Sequence, residues 1–399
     1  MPNPTVIVVG AGPVGLFTAL ILAQNGIKVT VLEADEGISR SPRAAVQLPC
    51  VNLEFVKAGV IEEVLEYGCR SDHGYCWRDG YDTTKVLADF TPPPSENPNL
   101  CAAMIGQDVL SQIFLKHLIN TGNAEIIFNH AFTRVEDHGD SVTVYARRVL
   151  DDQELSFNCR YVVGADGGKS SVRKCIVNIL YDLEKLGWKH GNFIVHPEDW
   201  AIVVKRGPKN LWRVATSVPF AQGADGEPIT DKAVFPVIKD RLSRILPGNT
   251  DEIIYLQTAP YTIHQRCVSK YRVGNIILAG DAAHLNNPVG GLGLTTGLLD
   301  AAHLGKALVQ IINDNAPETE LDDYATARRD VYKNITDPLS TANLLRVKST
   351  APEDVAAREA FFTMLNDPNQ KAQLFAHMGK EMGLSTTLDM KDLGPRPQL

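Results

Sequence analysis

The sequence predicts an α/β fold in which a parallel sheet is interrupted by a β-rich insertion and followed by C-terminal helices. Three observations predict it. A strand–glycine–helix–strand unit opens the chain, and two later strands, in "YVVGADGGKSSVRK" and "ILAGDAAHLNNPVGGLGLTTGLLDA", also run into glycines. Between these two strands the chain favours short strands with polar turns. Elements of one α/β unit therefore stand on both sides of an inserted sheet.

The N-terminal unit consists of a strand at 5–9, a helix at 16–24 and a second strand at 28–32. The first strand is a β-branched run, as expected for a central parallel strand that is buried on both faces. Asn25-Gly26 is a helix C-cap signal. The whole unit spans about 30 residues, which is the size of a βαβ crossover.

Gly10, Gly12 and Gly15 form a G-x-G-x-x-G motif directly after the first strand. In a dinucleotide-binding unit these glycines make the turn, let the backbone approach a pyrophosphate, and pack the helix on the strand. The helix N-terminus adds free N–H groups and a partial positive charge. Glu33 ends the second strand, where a carboxylate can accept hydrogen bonds from a ribose and would repel a 2′-phosphate. The motif therefore predicts a Rossmann-like unit for NAD or FAD rather than NADP.

The remaining elements follow from periodicity and turn residues. We predict helices at 51–67 and 108–118, a polar, proline-rich loop at 78–99, strands at 125–128, 132–136, 142–147 and 160–163, short strands within 193–263, and helices from Pro288 to about 382. The C-terminal helix, from about 352 to 382, packs on the core by default, and a homodimer surface is its alternative. The tail after it is predicted to be disordered.

Two further segments favour FAD over NAD as the predicted cofactor. Asp166-Gly167 follow one strand, and Gly280-Asp281 end another apolar run that continues through glycines into a helix. With the N-terminal motif, three separated segments bring strand ends and glycines together. This arrangement suits an extended ligand that is bound along its length, and so favours FAD.

Composition narrows the class of protein. The chain has 399 residues and a formal net charge of −8, which disfavours nucleic acid as a partner because its phosphates would be repelled. Seven cysteines without a C-x-x-C pair suit a reducing compartment and offer no zinc spacing, so no metal is expected. The N-terminus lacks the basic region of a signal peptide, and no apolar run is long enough to span a bilayer. We therefore expect a cytoplasmic protein.

The motifs, in this order and spacing, resemble those of class A flavoprotein monooxygenases of the p-hydroxybenzoate hydroxylase and phenol hydroxylase type. Among these enzymes, the sequence most resembles fungal secondary-metabolism members, and the resemblance extends to about residue 345. It implies a discontinuous FAD-binding domain at 1–75, 100–175 and 270–345. It also implies a substrate domain at 76–99 and 176–269, with a C-terminal helical segment and tail at 346–399.

The resemblance also implies roles for individual residues. Glu33 would bind the ribose of the AMP half, Arg43 would lie along the flavin and pyrophosphate, and Gln107 would contact the cofactor. Asp166 and Gly167 would serve FAD and the nicotinamide donor, and Asp281, after Gly280, would accept hydrogen bonds from the ribityl chain. The flavin-adjacent loop would comprise Pro288, Gly290, Gly291 and Gly293, and the helix that starts near Leu294 would direct its N–H groups to the flavin N1–C2 edge.

The chemistry implied by the resemblance belongs to the cofactor. NAD(P)H would reduce FAD, O₂ would add at flavin C4a, and the hydroperoxide would pass one oxygen to an aromatic, phenolic or polyketide-type substrate, by hydroxylation or epoxidation. Water must be excluded for this chemistry. A base for a phenolic proton is not located. Five candidates are better explained by packing, surface or loop structure: Tyr181, His196, Tyr261, His264 and His284.

Departures from the family pattern keep alternatives open. Leu292 and Thr295 replace a glutamine and an asparagine, although the backbone donors remain. Family members carry a strand and a loop after the D-G motif, and this sequence lacks both after Arg173. The substrate domain is therefore predicted to be shortened. An FAD-dependent oxidase or dehydrogenase, or a flavin-binding protein with impaired turnover, are therefore alternatives. An NAD-only dehydrogenase leaves the two later segments unexplained, and the halogenase W-x-W-x-I-P signature is absent.

Overall fold

The computed structural model describes residues 4–41, 45–71, 73–92, 101–167, 174–217, 231–261 and 265–381. The chain divides into two compact units. The first comprises Met1–Ala45, Ile105–Lys174 and Ala259–Asn343, and the second comprises Val46–Met104, Cys175–Thr258 and Leu344–Leu399. Within the described residues, no helix combines the length and the apolar character that crossing a bilayer requires.

The strands are numbered in chain order. They are β1 (Val6–Val9), β2 (Val29–Leu32), β3 (Val46–Gln47), β4 (Cys69–Arg70), β5 (Tyr75–Asp79), β6 (Val86–Phe90), β7 (Ala103–Met104), β8 (Ala124–Ile127), β9 (His130–Asp137), β10 (Val142–Arg148), β11 (Glu154–Cys159), β12 (Tyr161–Gly164), β13 (Lys174–Leu180), β14 (Gly191–Val195), β15 (Ala201–Lys205), β16 (Leu211–Ser217), β17 (Ile254–Tyr261), β18 (Arg266–Cys267), β19 (Arg272–Val273), β20 (Ile276–Leu278) and β21 (His284–Leu285).

The helices are numbered in the same way. They are α1 (Pro13–Gln24), α2 (Pro49–Lys57), α3 (Ile61–Tyr67), α4 (Gln107–Asn120), α5 (Asp231–Ile245), α6 (Leu292–Asn313), α7 (Thr319–Val331), α8 (Asp337–Lys348), α9 (Pro352–Asn366) and α10 (Pro368–Glu381). Short 3₁₀ turns lie at Thr250–Glu252 and Gly280–Ala282, and a π turn at Tyr332–Thr336 joins α7 to α8.

The first unit is built on a six-stranded sheet with the order β19-β20-β12-β1-β2-β8. Its strands are parallel except for β19 at the edge. Strand β1 is buried at all four residues, as its β-branched sequence predicts for a central strand. A separate three-stranded sheet, β9 to β11, packs its apolar side chains against this sheet through Val142, Val144 and Ala146.

The second unit is built on a seven-stranded sheet with the order β17-β13-β16-β15-β14-β5-β6. One face packs against α5, and its buried core includes Trp212, Val214, Ile238 and Leu242. The helices α9 and α10 belong to the same unit. The Trp77 ring contacts Phe361 and Phe362 of α9, at centroid distances of 5.4 and 5.7 Å, so α9 packs on this sheet.

Three features differ from the sequence-based expectation. The predicted helix at 51–67 is two helices, because Gly59 between them has a φ of +71°. The segment predicted as a loop at 78–99 contains the end of β5 and all of β6, whose alternation is short and interrupted by polar residues. Helix α5 lies within the region where short strands were predicted, and it contains Pro236, which is rare inside helices.

The unit boundaries also differ from the predicted domain boundaries. Residues 46–75 belong to the second unit, because β3 and β4 pair with β7. Residues 344–399 belong to the second unit as well. The predicted assignment of these units to cofactor and substrate stays a prediction.

Candidate functional site

The candidate site lies at one edge of the six-stranded sheet. Glu33 follows β2, Asp166 follows β12 and Asp281 follows β20, and these strands run parallel to β1. Carboxyl ends of parallel strands meet at one edge, which is where open α/β sheets bind ligands. The structure therefore brings the three predicted acids to the same edge of one sheet.

The turn after β1 depends on Gly10. Its φ is +106°, and a Cβ at this position would lie 2.5 Å from the Ala165 carbonyl oxygen. A side chain would therefore clash with the backbone of the segment that carries Asp166. Ala165 N–H donates to the Val9 carbonyl at 2.8 Å, which holds the two segments together.

The start of α1 is open. Its N-cap residue is Gly12, which has no side chain to cap the helix, and Pro13 at the first helical position has no N–H to satisfy. A Cβ at Gly12 would meet no atom of the described residues within 4 Å. At Gly15 a Cβ would lie 2.1 Å from the Gly10 carbonyl oxygen, so this glycine is required for packing. The geometry fits a group that approaches Gly12 and accepts hydrogen bonds from the helix N-terminus.

Glu33 is half-buried and already bound to backbone. Its Oε2 accepts from Ala11 N–H at 2.6 Å, and its Oε1 accepts from Asp35 N–H at 3.0 Å. A carboxylate has about four lone-pair positions, so capacity for further donors remains. Asp166 and Gly167 are exposed at the same edge, and Gly167 has a φ of +80°.

The second helix start belongs to α6. A Cβ at Gly297 would lie 2.8 Å from Val14 of α1, and one at Gly305 would lie 2.8 Å from Ile21. Contacts that advance in the same direction along both helices show that α1 and α6 run parallel, so both N-termini lie on one side. Val14 lies one residue after the start of α1, and Gly297 lies five residues after the start of α6. At about 1.5 Å per residue, α6 therefore begins about 6 Å further out than α1.

The segment before α6 is a glycine turn. Gly291 N–H donates to the Pro288 carbonyl at 3.2 Å, and Gly291, the N-cap residue, is left-handed with a φ of +68°. Like Gly12, it has no capping side chain. Gly290 has a φ of +101°, while Gly293 and Leu294 lie in the first turn of α6. The first N–H groups of a helix have no partner within the helix, so this turn could donate to an electronegative ligand atom.

Other predicted residues are placed as follows. Gln107 opens α4 and is half-buried, and α4 packs on α1 through Phe17 and Phe114, whose ring centroids are 4.9 Å apart. Arg43, His264 and the side chain of Tyr261 lie outside the described residues. His196 Nδ1 accepts from the N–H groups of Glu198 and Asp199, and the Tyr181 hydroxyl donates to the Pro247 carbonyl. These last two contacts are structural.

Sequence reasoning missed Asp300. It is completely buried within α6, and its carboxylate contacts His284 and Arg328 as well as the Gly280 N–H. Burial opposes ionisation of this carboxyl, but His284 and Arg328 outweigh it and hold the pKa of Asp300 below its ordinary value. The signal in the sequence was a single acid between the apolar pairs Leu298-Leu299 and Ala301-Ala302.

A histidine cluster in the second unit was also not predicted. His73, Glu184 and His190 place one potential ligand atom each within 4.8 Å of one another. The protein itself satisfies this cluster, because Glu184 pairs with Lys205, and His190 contacts both Glu184 and the Arg70 carbonyl. The two imidazole rings stack in parallel at 4.3 Å, which does not direct both nitrogens at one ion.

Comparison with known proteins identifies the family. A family model described as an FAD binding domain matches residues 3–338. Para-nitrophenol 4-monooxygenase of Pseudomonas sp. (strain WBC-3) is 34% identical over 374 residues, which cover 90% of both chains. The 6-hydroxy-3-succinoylpyridine 3-monooxygenase of Pseudomonas putida (strain DSM 28022 / S16) is 31% identical, covering 87% of this chain and 90% of the relative.

A solved structure agrees over the full length. The crystal structure of p-nitrophenol 4-monooxygenase from Pseudomonas putida DLL-E4 superimposes with a TM-score of 0.81 at 30% identity, and covers 99% of both chains. The predicted likeness to fungal members stays a prediction. The matches in sequence and in structure agree with the glycine motif and the two open helix starts at the sheet edge. The chain belongs to the class A flavoprotein monooxygenases and is an FAD-dependent monooxygenase.

Proposed function

We propose that the enzyme hydroxylates a phenol-type aromatic ring with O₂ and NAD(P)H, at the carbon para to the ring hydroxyl. FAD, when bound, carries electrons from the nicotinamide and activates O₂. The observation that carries the cofactor part of the proposal is the convergence of three acids and two uncapped helix starts at one sheet edge, which fits a long, anionic cofactor.

Each part of the edge has a proposed task. The start of α1, open at Gly12, binds the pyrophosphate through its N–H groups. Glu33 accepts from the adenosine ribose and Asp281 from the ribityl chain. The start of α6, after Gly291, stabilises the negative charge that the flavin ring gains on reduction. Asp166, Gly167, Gln107 and Arg43 are proposed as further cofactor contacts.

The choice of substrate rests on the two relatives. Their names place oxygenation at position 4 of para-nitrophenol and at position 3 of 6-hydroxy-3-succinoylpyridine. In both compounds this carbon is para to the hydroxyl and already carries a substituent. A ring hydroxyl donates electron density to its para carbon, which favours attack by an electrophilic oxygen there. A para-substituted phenol or hydroxypyridine is therefore the proposed substrate class.

The test measures coupling of electron transfer to oxygenation. Purified enzyme loaded with FAD is given NADH or NADPH with phenol, para-nitrophenol and a meta-substituted isomer. O₂ uptake, H₂O₂ and ring products are quantified, together with nitrite where a nitro group is displaced. We expect product in place of H₂O₂ only with para-substituted rings. Flavin reduction that yields H₂O₂ alone with every phenol would contradict the proposal and favour an oxidase.

The shortened-domain alternative is addressed by the same assay. A protein with impaired turnover would bind FAD but show no donor-dependent flavin reduction. The coverage of 99% of both chains in the comparison with p-nitrophenol 4-monooxygenase argues against a large missing segment relative to that structure.

A further inference from the structure

Asp300 lies inside α6, eight residues after the helix begins, and its side chain has no exposed surface. A buried carboxylate is costly unless hydrogen bonds and opposite charge compensate it. The residues beside it in α6, from Leu298 to Ala301, are otherwise apolar. The position of this acid therefore needs an explanation beyond packing.

Three donors converge on its two oxygens. Gly280 N–H donates to Oδ2 at 3.1 Å, and His284 Nε2 donates to the same oxygen at 2.7 Å. Arg328 Nε, from α7, donates to Oδ1 at 2.7 Å. The carboxylate thus joins α6 to α7, to β21 and to the 3₁₀ turn at Gly280–Ala282.

The partners of Asp300 are themselves fixed. The His284 ring is completely buried and stacks on Tyr332 at a centroid distance of 4.8 Å and on Tyr271 at 6.0 Å. Arg328 also donates to the Thr296 carbonyl at 3.4 Å, one turn before Asp300. The carboxylate is therefore held in a single orientation, with one oxygen directed at the 3₁₀ turn.

The contact with Gly280 is the informative one. Gly280 directly precedes Asp281, which is exposed at the sheet edge, and a Cβ on Gly280 would lie 2.9 Å from Val14 of α1. The turn is thus pressed between α1 and the carboxylate of Asp300. A salt bridge that served stability alone would need Arg328. It would not need a carboxylate oxygen that accepts from the backbone N–H of this turn.

We propose that Asp300, oriented by Arg328 and His284, is a positioning residue for the cofactor: its carboxylate oxygen fixes the Gly280–Ala282 turn so that Asp281 faces the ribityl chain. The inference rests on the proposed role of Asp281 as a cofactor contact. It adds that FAD affinity depends on a hydrogen-bond acceptor at position 300, independently of the charge there.

A matched pair of double variants tests the acceptor. Asp300→Asn with Arg328→Met removes both charges but keeps an oxygen for Gly280 N–H, whereas Asp300→Leu with Arg328→Met removes the charges and the oxygen. Apoprotein is titrated with FAD and the dissociation constant is measured from flavin fluorescence. We expect the asparagine pair to bind within about threefold of wild type and the leucine pair to bind at least about tenfold more weakly.

The same two double variants, each combined with Asp281→Ala, test whether Asp300 acts through Asp281. If Asp300 acts by placing Asp281, the difference between the two pairs should shrink to about twofold or less once Asp281 is gone. A difference that persists in that background, or leucine and asparagine pairs of equal affinity in the first experiment, would overturn the inference. A wild-type chain that binds no FAD, or an Asp281→Ala variant with unchanged affinity, would instead overturn the proposed function.

A control separates positioning from stability. Thr296, in the same helix as Asp300, forms a buried hydrogen bond of 3.1 Å with Thr336. Thr296→Val removes this bond but none of the three donors to the Asp300 carboxylate. It should lower the melting temperature of the apoprotein without changing FAD affinity. If the leucine pair does not fold, Asp300→Ala with Arg328→Met takes its place, because alanine also lacks an acceptor. FAD affinity that simply follows the melting temperature across all variants would contradict the proposal.

Discussion

Gly12 is a glycine of the motif that the described fold does not itself require. Its φ is −73°, which any residue can adopt, and no described atom lies near a Cβ built on it. Nothing in the fold of the described residues therefore requires a glycine here. The proposed reason for it is the ligand, since a methyl group would occupy the space in front of the helix start.

Gly12→Ala should weaken FAD binding by at least about tenfold while changing the stability of the apoprotein by only about 1 kcal/mol or less. Gly37→Ala is the matched control, because Gly37 also has open space around its Cβ position and no positive φ. FAD titration and thermal melting of both variants check this. Equal FAD affinity of Gly12→Ala and Gly37→Ala would refute the role of Gly12.

At this scale the sequence predicted which residues lie together, while their roles stay predictions. Gly10, Gly12, Gly15, Glu33, Asp166 and Asp281 all lie at one sheet edge, because a glycine motif fixes the spacing between strand, turn and helix. Asp300 and Arg328 could not be predicted in the same way. Their contact joins α6 to α7 across 28 residues, and only the packing of these helices brings the two side chains together.

At the scale of elements, α5 shows where periodicity was insufficient. Short strands with polar turns were predicted across 193–263, yet residues 231–245 form a helix that contains Pro236. Its apolar face packs on the seven-stranded sheet through Ile238, Leu242 and Ile245. Tertiary burial has here outweighed local propensity, which is a weak determinant over a single segment.

An acidic residue fixes this helix to the strand layer. Asp199, in the turn before β15, accepts two hydrogen bonds from Arg244 of α5, at 2.9 and 3.0 Å. Arg241 Nε lies 3.0 Å from the same carboxylate. The contact with Arg244 is the main reason that the pKa of Asp199 lies below its ordinary value.

Asp199→Asn should therefore cost about 1.5–3 kcal/mol in the free energy of unfolding at pH 7. Because the pKa is lowered in the folded state, this stabilisation is present above the ordinary aspartate value of about 4 and is lost as the pH falls through the folded pKa. The difference between variant and wild type should thus shrink in acid. All four tryptophans lie in the second unit, so urea unfolding followed by tryptophan fluorescence measures it.

Asp240→Asn provides the control for that measurement. Asp240 also pairs with Arg244, but its side chain is 68% exposed, and such pairs contribute about 0–1 kcal/mol. A loss as large as that of Asp199→Asn, or a difference for Asp199→Asn that grows in acid, would contradict the explanation.

At the scale of the whole molecule, the chain passes between its two units five times. The first unit takes three separate segments and the second takes three more. Sequence patterns predicted this interruption, because strands that end in glycine stand on both sides of the inserted sheet. They did not predict that residues 46–75 leave the first unit, since two-residue strands such as β3 and β4 carry too little alternation to be recognised.

FAD should protect the two units unequally. Hydrogen exchange of backbone amides should slow most in the first turn of α1, in the Gly280–Ala282 turn and in the first turn of α6, where the proposed contacts lie. Amides of α5 should slow less. Exchange mass spectrometry with and without saturating FAD checks this, and protection that is strongest in α5 would place the cofactor elsewhere.

Glu33 accepts a hydrogen bond from Ala11 N–H, and Gly10 rests against the backbone of Ala165. Contacts within the protein thus hold the glycine loop, and we expect it to lose little conformational entropy when FAD binds. Apoprotein should therefore rebind FAD rapidly and without a refolding lag. The lifetime of the holoenzyme is then set by the dissociation rate of FAD.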